Sequence, residues 1–208
     1  MYTLNIDISA ADLSTIHNAK EQVVITKQTG DGNGNVAWVT FKPLTSNTVT
    51  WTDTYELYAS TSQVENGATI SMMSQVSALD TQQIVFDTVF GSPTVGLALP
   101  QGSYGVLNAD EDNPSMVFGL AQQANVSGTG FPASPINASI VPKNQSASFS
   151  PLDIVQVFLA TQTNNGMVIT NISSTALKVT LGNGVTTATI LYNASTGAFQ
   201  QSSSVALA

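Results

Sequence analysis

Leu177-Lys178-Val179-Thr180-Leu181 alternates apolar and polar residues, stops at Gly182-Asn183-Gly184, and gives way to a second β-rich run over 185–192. A period of two places successive side chains on opposite faces of an extended chain, where a helix would need 3.6. The figure recurs along the sequence. Runs at 22–28 and 36–41 flank Gly30, Gly32 and Gly34 and read as a hairpin. Further strands are predicted at 48–51, 55–60, 68–73, 83–90, 95–99, 104–107, 116–120, 154–160 and 167–172, separated by Gly, Pro and Asn. In the 55–60 run, Tyr55, Leu57 and Ala59 share one face and Glu56, Tyr58 and Ser60 the other. Short runs at this spacing predict an all-β fold, a mostly antiparallel β-sandwich of jelly-roll or Greek-key type with about ten to fourteen strands.

One segment departs from the pattern. Ser9 precedes Asp12, Leu13, Ile16 and Ala19, which predicts a short N-terminal helix with Ser9 as its N-cap and Asp12 in the favourable first turn. Residues 125–151 hold four of the eight prolines and no long periodic stretch, and read as an extended crossover. The expectation is a single domain over 1–208. The alternative is a boundary within 125–151, which leaves the last part of the chain a thin core of its own.

Arginine and cysteine are absent, His17 is the only histidine, and five lysines face 13 acidic residues for a net charge of −8. Five scattered cations cannot track a phosphate backbone, so nucleic acid is excluded as an expected partner. Without thiols there are no disulfides, thiolate metal sites or cysteine nucleophiles. No apolar run reaches the roughly 20 residues of a membrane-spanning helix, so no integral membrane segment is expected. The first seven residues show neither the basic nor the apolar part of a secretory signal, so the expectation is a cytoplasmic protein as synthesised, with release by a route independent of a signal peptide left open. In place of ions the chain carries 78 Ser, Thr, Asn and Gln residues, which predicts a neutral, hydrogen-bonding surface.

This inventory offers little catalytic chemistry. His17 stands alone, without a G-x-S-x-G nucleophile signature elsewhere, and reads as a surface or capping residue. Asp31, Asn33 and Asn35 have the spacing that opens a calcium-binding EF-hand loop, but Val36 and Lys42 stand where glycine and glutamate are needed, so a hairpin turn is expected. Paired carboxylates for glycoside hydrolysis cannot be identified from spacing. The expected protein is not an enzyme, requires no cofactor and has no dedicated metal site.

Two features suit ligand binding. The loop at 108–113 contains Asp110, Asp112 and Asn113, whose oxygens and amide match vicinal sugar hydroxyls and would also serve calcium as an optional ion. Trp38, Trp51, Tyr55 and Tyr58 cluster nearby in sequence. Trp38 alternates with Val36 and Thr40 and is assigned to the core, whereas Trp51, at a strand end beside Asp53, is expected at the surface, where with Tyr55 it would offer a stacking platform. The expected ligand-binding set is therefore Trp51, Tyr55, Asp110, Asp112 and Asn113.

The leading functional expectation is a non-catalytic, lectin-like recognition protein for a glycan or other cell-surface ligand. The alternative is a pore-forming or insecticidal-type β toxin made as a soluble monomer, in which residues 164–192 would supply an inserting strand pair. A third is a self-assembling structural protein or homo-oligomer, since sparse charge leaves strand edges weakly protected.

Overall fold

Strand formation here follows from burying one face of each alternating run, and the faces assemble into three sheets. The computed structural model describes residues 1–30, 34–172 and 175–202. The largest sheet has nine strands. Its main path runs β17 (Ala198–Gln201), β16 (Thr187–Asn193), β1 (Tyr2–Asp7), β4 (Ser46–Trp51), β10 (Ser115–Val126), β5 (Glu56–Ser60) and β6 (Ser74–Ser77). Two more strands, β11 (Thr129–Pro135) and β12 (Ser139–Pro142), also pair with β10. A four-stranded sheet contains β13 (Ser146–Phe149), β9 (Tyr104–Asn108), β7 (Gln82–Asp87) and β8 (Val89–Ala98), and another contains β15 (Leu177–Thr180), β14 (Pro151–Ala160), β2 (Gln22–Thr29) and β3 (Val39–Phe41). Pairing is antiparallel except for β1 with β16 and β7 with β9. The all-β, mostly antiparallel sandwich is thus the fold, with 17 strands among the described residues.

The main core lies between the large sheet and the two small ones. Leu4, Ile6, Val49, Leu57, Phe118 and Leu120 of the large sheet belong to one apolar cluster with Val23, Ile25, Val155 and Val157 from one small sheet and Ile84, Phe86, Val106 and Phe149 from the other. Phe86 meets Phe90 and Phe118 edge-on at 5.1 and 5.4 Å. A second cluster, with Tyr58, Val117, Ala121, Ile70 and Val168, covers the outer face of β5 and β10. The two faces expected for residues 55–60 are therefore both buried, in different clusters. Gly119 allows that outer layer, because a Cβ there would collide with Asn137 O and crowd the Tyr58 ring at 2.9 Å.

The helix α1 (Ala10–Asn18) forms as predicted: Ser9 accepts from the Asp12 N–H, and Ile16 is buried. His17 lies in its last turn, with Nε2 2.9 Å from Pro43 O. The 22–28 and 36–41 runs pair through Val23↔Phe41 and Ile25↔Val39, although residues 31–33 of the expected turn and EF-hand-like spacing lie outside the described residues.

Several expectations are corrected. The 83–90 run is two strands, reversed at Thr88 with φ 58°, and Gly91-Ser92-Pro93, which would be expected to end the run, lies inside β8. A β-branched residue in the left-handed region gives no sequence cue. Segments 68–73 and 167–172 form only isolated bridges, Thr69↔Met167 and Val36↔Val168, because they overlie the sheets instead of joining them. The expected turn at 182–184 is closed by the bridge Gly182↔Val185, but the strands on either side diverge, β15 joining β14 and β16 joining β1 and β17. The proline-rich 125–151 stretch forms β11, β12 and β13 instead of a strandless crossover, with a bulge opposite Gln122–Ala124 that breaks the alternation.

Candidate ligand-binding site

The site begins with a mismatch in strand pairing. Strands β4 and β5 follow one another along the same edge of β10, through Thr50↔Asn125 and then Glu56↔Ala121. Over that interval the β4–β5 line takes six steps where β10 takes four, so two residues are extruded. Bulges of this kind re-aim side chains and occur beside functional sites. Here the extruded loop, Thr52 to Tyr55, presents one side to the core and the other to a surface cavity.

On the core side is a fully buried lysine. Lys27 lies on β2 in step with Val23 and Ile25, so strand geometry directs it inward. Its Nζ donates to Tyr55 Oη at 2.9 Å and to Gln122 Oε1 at 3.1 Å, and stands 3.9 Å from Asp53 Oδ1. The ammonium is 5.0 Å from the Tyr55 ring centroid and 6.0 Å from those of Trp38 and Trp51, within reach of cation–π attraction. Gln122 ties the cluster together, since its Nε2 donates to Thr52 O at 2.6 Å and its own carbonyl accepts from Trp38 Nε1 at 2.9 Å. Tyr55 Oη also donates to Asp53 Oδ1 at 3.2 Å.

Burial lowers the Lys27 pKa to about 8, against the opposing pull of the Asp53 and Asp153 carboxylates. Burial also raises the Tyr55 phenol, and the neighbouring Asp53 charge adds to it. Tyr2, which donates to Asp153 Oδ2 at 2.9 Å, is raised first by burial and then by that hydrogen bond.

On the outer side, a cavity of about 280 Å³ is lined by Thr52, Thr54, Tyr55, Glu56, Ser77 and Gln123, with Ala78 and Ala121. Glu56 is held between Ser77 of β6 and Ala121 of β10, and its Oε2 is buried with no hydrogen-bond partner. A buried acceptor without a donor costs about 1–3 kcal/mol, more when charged. The cavity thus gathers the Glu56 side chain, three hydroxyls, an amide and Tyr55, with the unpartnered Glu56 Oε2 buried behind its surface.

The predicted ligand set does not converge on this cavity. Tyr55 alone lines it. Trp51, expected at the surface, is only 4% exposed: it packs edge-on to Trp38 at 5.4 Å and against Tyr2 at 5.8 Å, because β4 directs it to the same face as Val49. It is not a stacking platform. Trp38 is in the core as assigned. Asp110 is buried, and its Oδ1 accepts from Asp112 N at 2.8 Å, Asn113 N at 2.9 Å and Asn113 Nδ2 at 3.2 Å. These donors, led by the Asn113 N–H, hold its carboxyl below the usual range and close the turn on itself. Asn113 precedes β10 while Gln122 lies beyond its midpoint, about 20–30 Å away at strand rise. Among the described residues no group of three or more His, Asp or Glu side chains is placed to hold a metal ion.

The residues that sequence reading missed are Lys27, Gln122, Glu56, Thr52, Thr54, Ser77 and Gln123. Lys27 did carry a signal: a charged residue in phase with Val23 and Ile25 on a core-facing stripe. The others are brought together by the pairing of β5 with β6 and β10 and by the strand mismatch that extrudes the loop. No protein-family model matches the chain, and neither the curated proteins nor the solved structures compared with it include one that matches.

Proposed function

We propose that the protein is a non-catalytic recognition module that binds a polyhydroxylated ligand, a terminal sugar residue of a glycan, in the cavity beside the β4–β5 loop. The observation that carries this reading is the convergence on one cavity of Glu56, whose buried Oε2 has no hydrogen-bond partner, with Thr52, Thr54, Ser77 and Gln123. A sugar hydroxyl donates to the carboxylate and accepts from neighbouring hydroxyls and amide, while the Tyr55 edge covers an apolar patch of the ring. The volume suits one monosaccharide, because sites for larger ligands begin at about 300 Å³.

Binding to a broad glycan array is the test, followed by titration calorimetry of the best ligand against Glu56→Gln and Ser77→Ala. Glu56→Gln should bind at least tenfold more weakly, the scale of a hydrogen bond to a charged group, and Ser77→Ala about threefold to tenfold more weakly, the scale of a neutral one. An array without binders, or unchanged affinity in both variants, would overturn the reading.

A further inference from the structure

We propose that Lys27 is the positioning residue of the ligand cavity, a titrating latch that holds the Thr52-to-Tyr55 loop from its inner side. This rests on the cavity being the binding site, but the latch itself is a property of the unliganded protein. Every polar contact of the buried amine bears on that loop: Tyr55 Oη and Asp53 Oδ1 belong to it, and Gln122 Oε1 belongs to the side chain whose Nε2 holds Thr52 O. Three of the four loop residues are thereby held at the inner face, while Thr52, Thr54 and Tyr55 wall the cavity outside.

The charged amine attracts Asp53 and donates to both Tyr55 and Gln122. Its neutral form loses the ion pair and keeps weaker, uncharged hydrogen bonds. The other charged or titratable groups around the cluster are Asp153 of β14 with Tyr2 of β1 bonded to it, and Tyr104 of β9, 5.3 Å from the Tyr55 ring. Tyr2, Tyr55 and Tyr104 are all raised by burial first, so they stay protonated while the amine titrates. Lys27 is therefore the group that switches the loop between a tightly held and a relaxed state in mildly alkaline solution.

The chain supplies its own reporters, because its two tryptophans are the Trp38 and Trp51 that flank Nζ. Tryptophan fluorescence and amide NMR shifts of residues 52–56 would be followed from pH 6.5 to 9.5 without ligand. The expected result is one shared transition with a midpoint near pH 8. It should vanish in Lys27→Met and move to lower pH in Asp53→Asn, since the Asp53 charge favours the ammonium. Asp53 is half-exposed, so that variant remains informative if Lys27→Met does not fold. Amide shifts of 52–56 that stay flat across the range, or an Asp53→Asn midpoint unchanged from wild type, would overturn the proposal. A titrating loop in a protein that captures no glycan on the array would retain the latch and reject the sugar reading.

Discussion

Lys27 and Asp110 are two charged side chains removed from solvent by opposite means. Asp110 is satisfied by its own turn: three donors come from residues two and three positions ahead, so the arrangement exists as soon as the loop closes. Lys27 draws on Tyr55, Gln122, Asp53 and two tryptophans from distant parts of the chain, and it loses its hydration entirely. Local satisfaction costs little and commits Oδ1 of Asp110 to the turn itself. Long-range satisfaction is conditional on tertiary structure, and a conditional contact can respond to pH or to binding.

The largest effect should come from removing the link in the Lys27 cluster. Gln122→Ala deletes the amide that accepts from Lys27 and donates to Thr52 O, leaving a buried charge undercompensated. A loss of about 3–5 kcal/mol is expected from urea unfolding at pH 7, and a loss below about 1 kcal/mol would show that the cluster is not cooperative.

Next is the pH dependence. The folded pKa of Lys27, about 8, lies below its ordinary 10.5, so between these values the unfolded chain binds the extra proton. Stability contributed by this group is therefore complete above 10.5 and is lost as pH falls towards 8. Wild type should gain about 2–3 kcal/mol from pH 7.5 to 10 relative to Lys27→Met, measured by urea unfolding in parallel. A gain equal in the two proteins would assign the effect to other groups.

Asp110 should behave in the reverse sense. Its lowered carboxyl stabilises the fold above its ordinary range and is lost as pH falls through the lowered value, so Asp110→Asn should alter the acid limb of an unfolding profile and leave the pH 7.5–10 limb unchanged. A change in the alkaline limb would mean that the two regions communicate. The smallest effect belongs to the exposed Lys143–Glu111 pair next to that loop, where Lys143→Ala should change stability by less than about 0.5 kcal/mol.

The same contrast accounts for what could be read from the sequence. The Ser9 cap, the 22–28/36–41 pairing and the two faces of 55–60 follow from neighbours within a few residues, and each is present. The Thr88 reversal and the strands in 129–149 were not legible, because the first lacks a glycine and the second is interrupted by prolines and a bulge. For the site, Tyr55 was found and Glu56 was placed on the correct outer face, but neither residue announces that an oxygen will be left without a donor. Trp51 shows the limit in the other direction: a strand-end position beside an acid suggested exposure, and packing against Trp38 and Tyr2 decided burial.

By itself the sequence determined a β protein with one capped helix, rich in amides and hydroxyls, poor in cations and without a thiol. Periodicity, capping and composition act over a few residues, and any fold must respect them. Tertiary structure alone decided that β4 and β5 share one edge of β10 with two residues to spare, and hence that a lysine and a glutamate lie on opposite sides of one loop. Register between distant strands is set by the joint packing of all three sheets, and that information is spread over the whole chain.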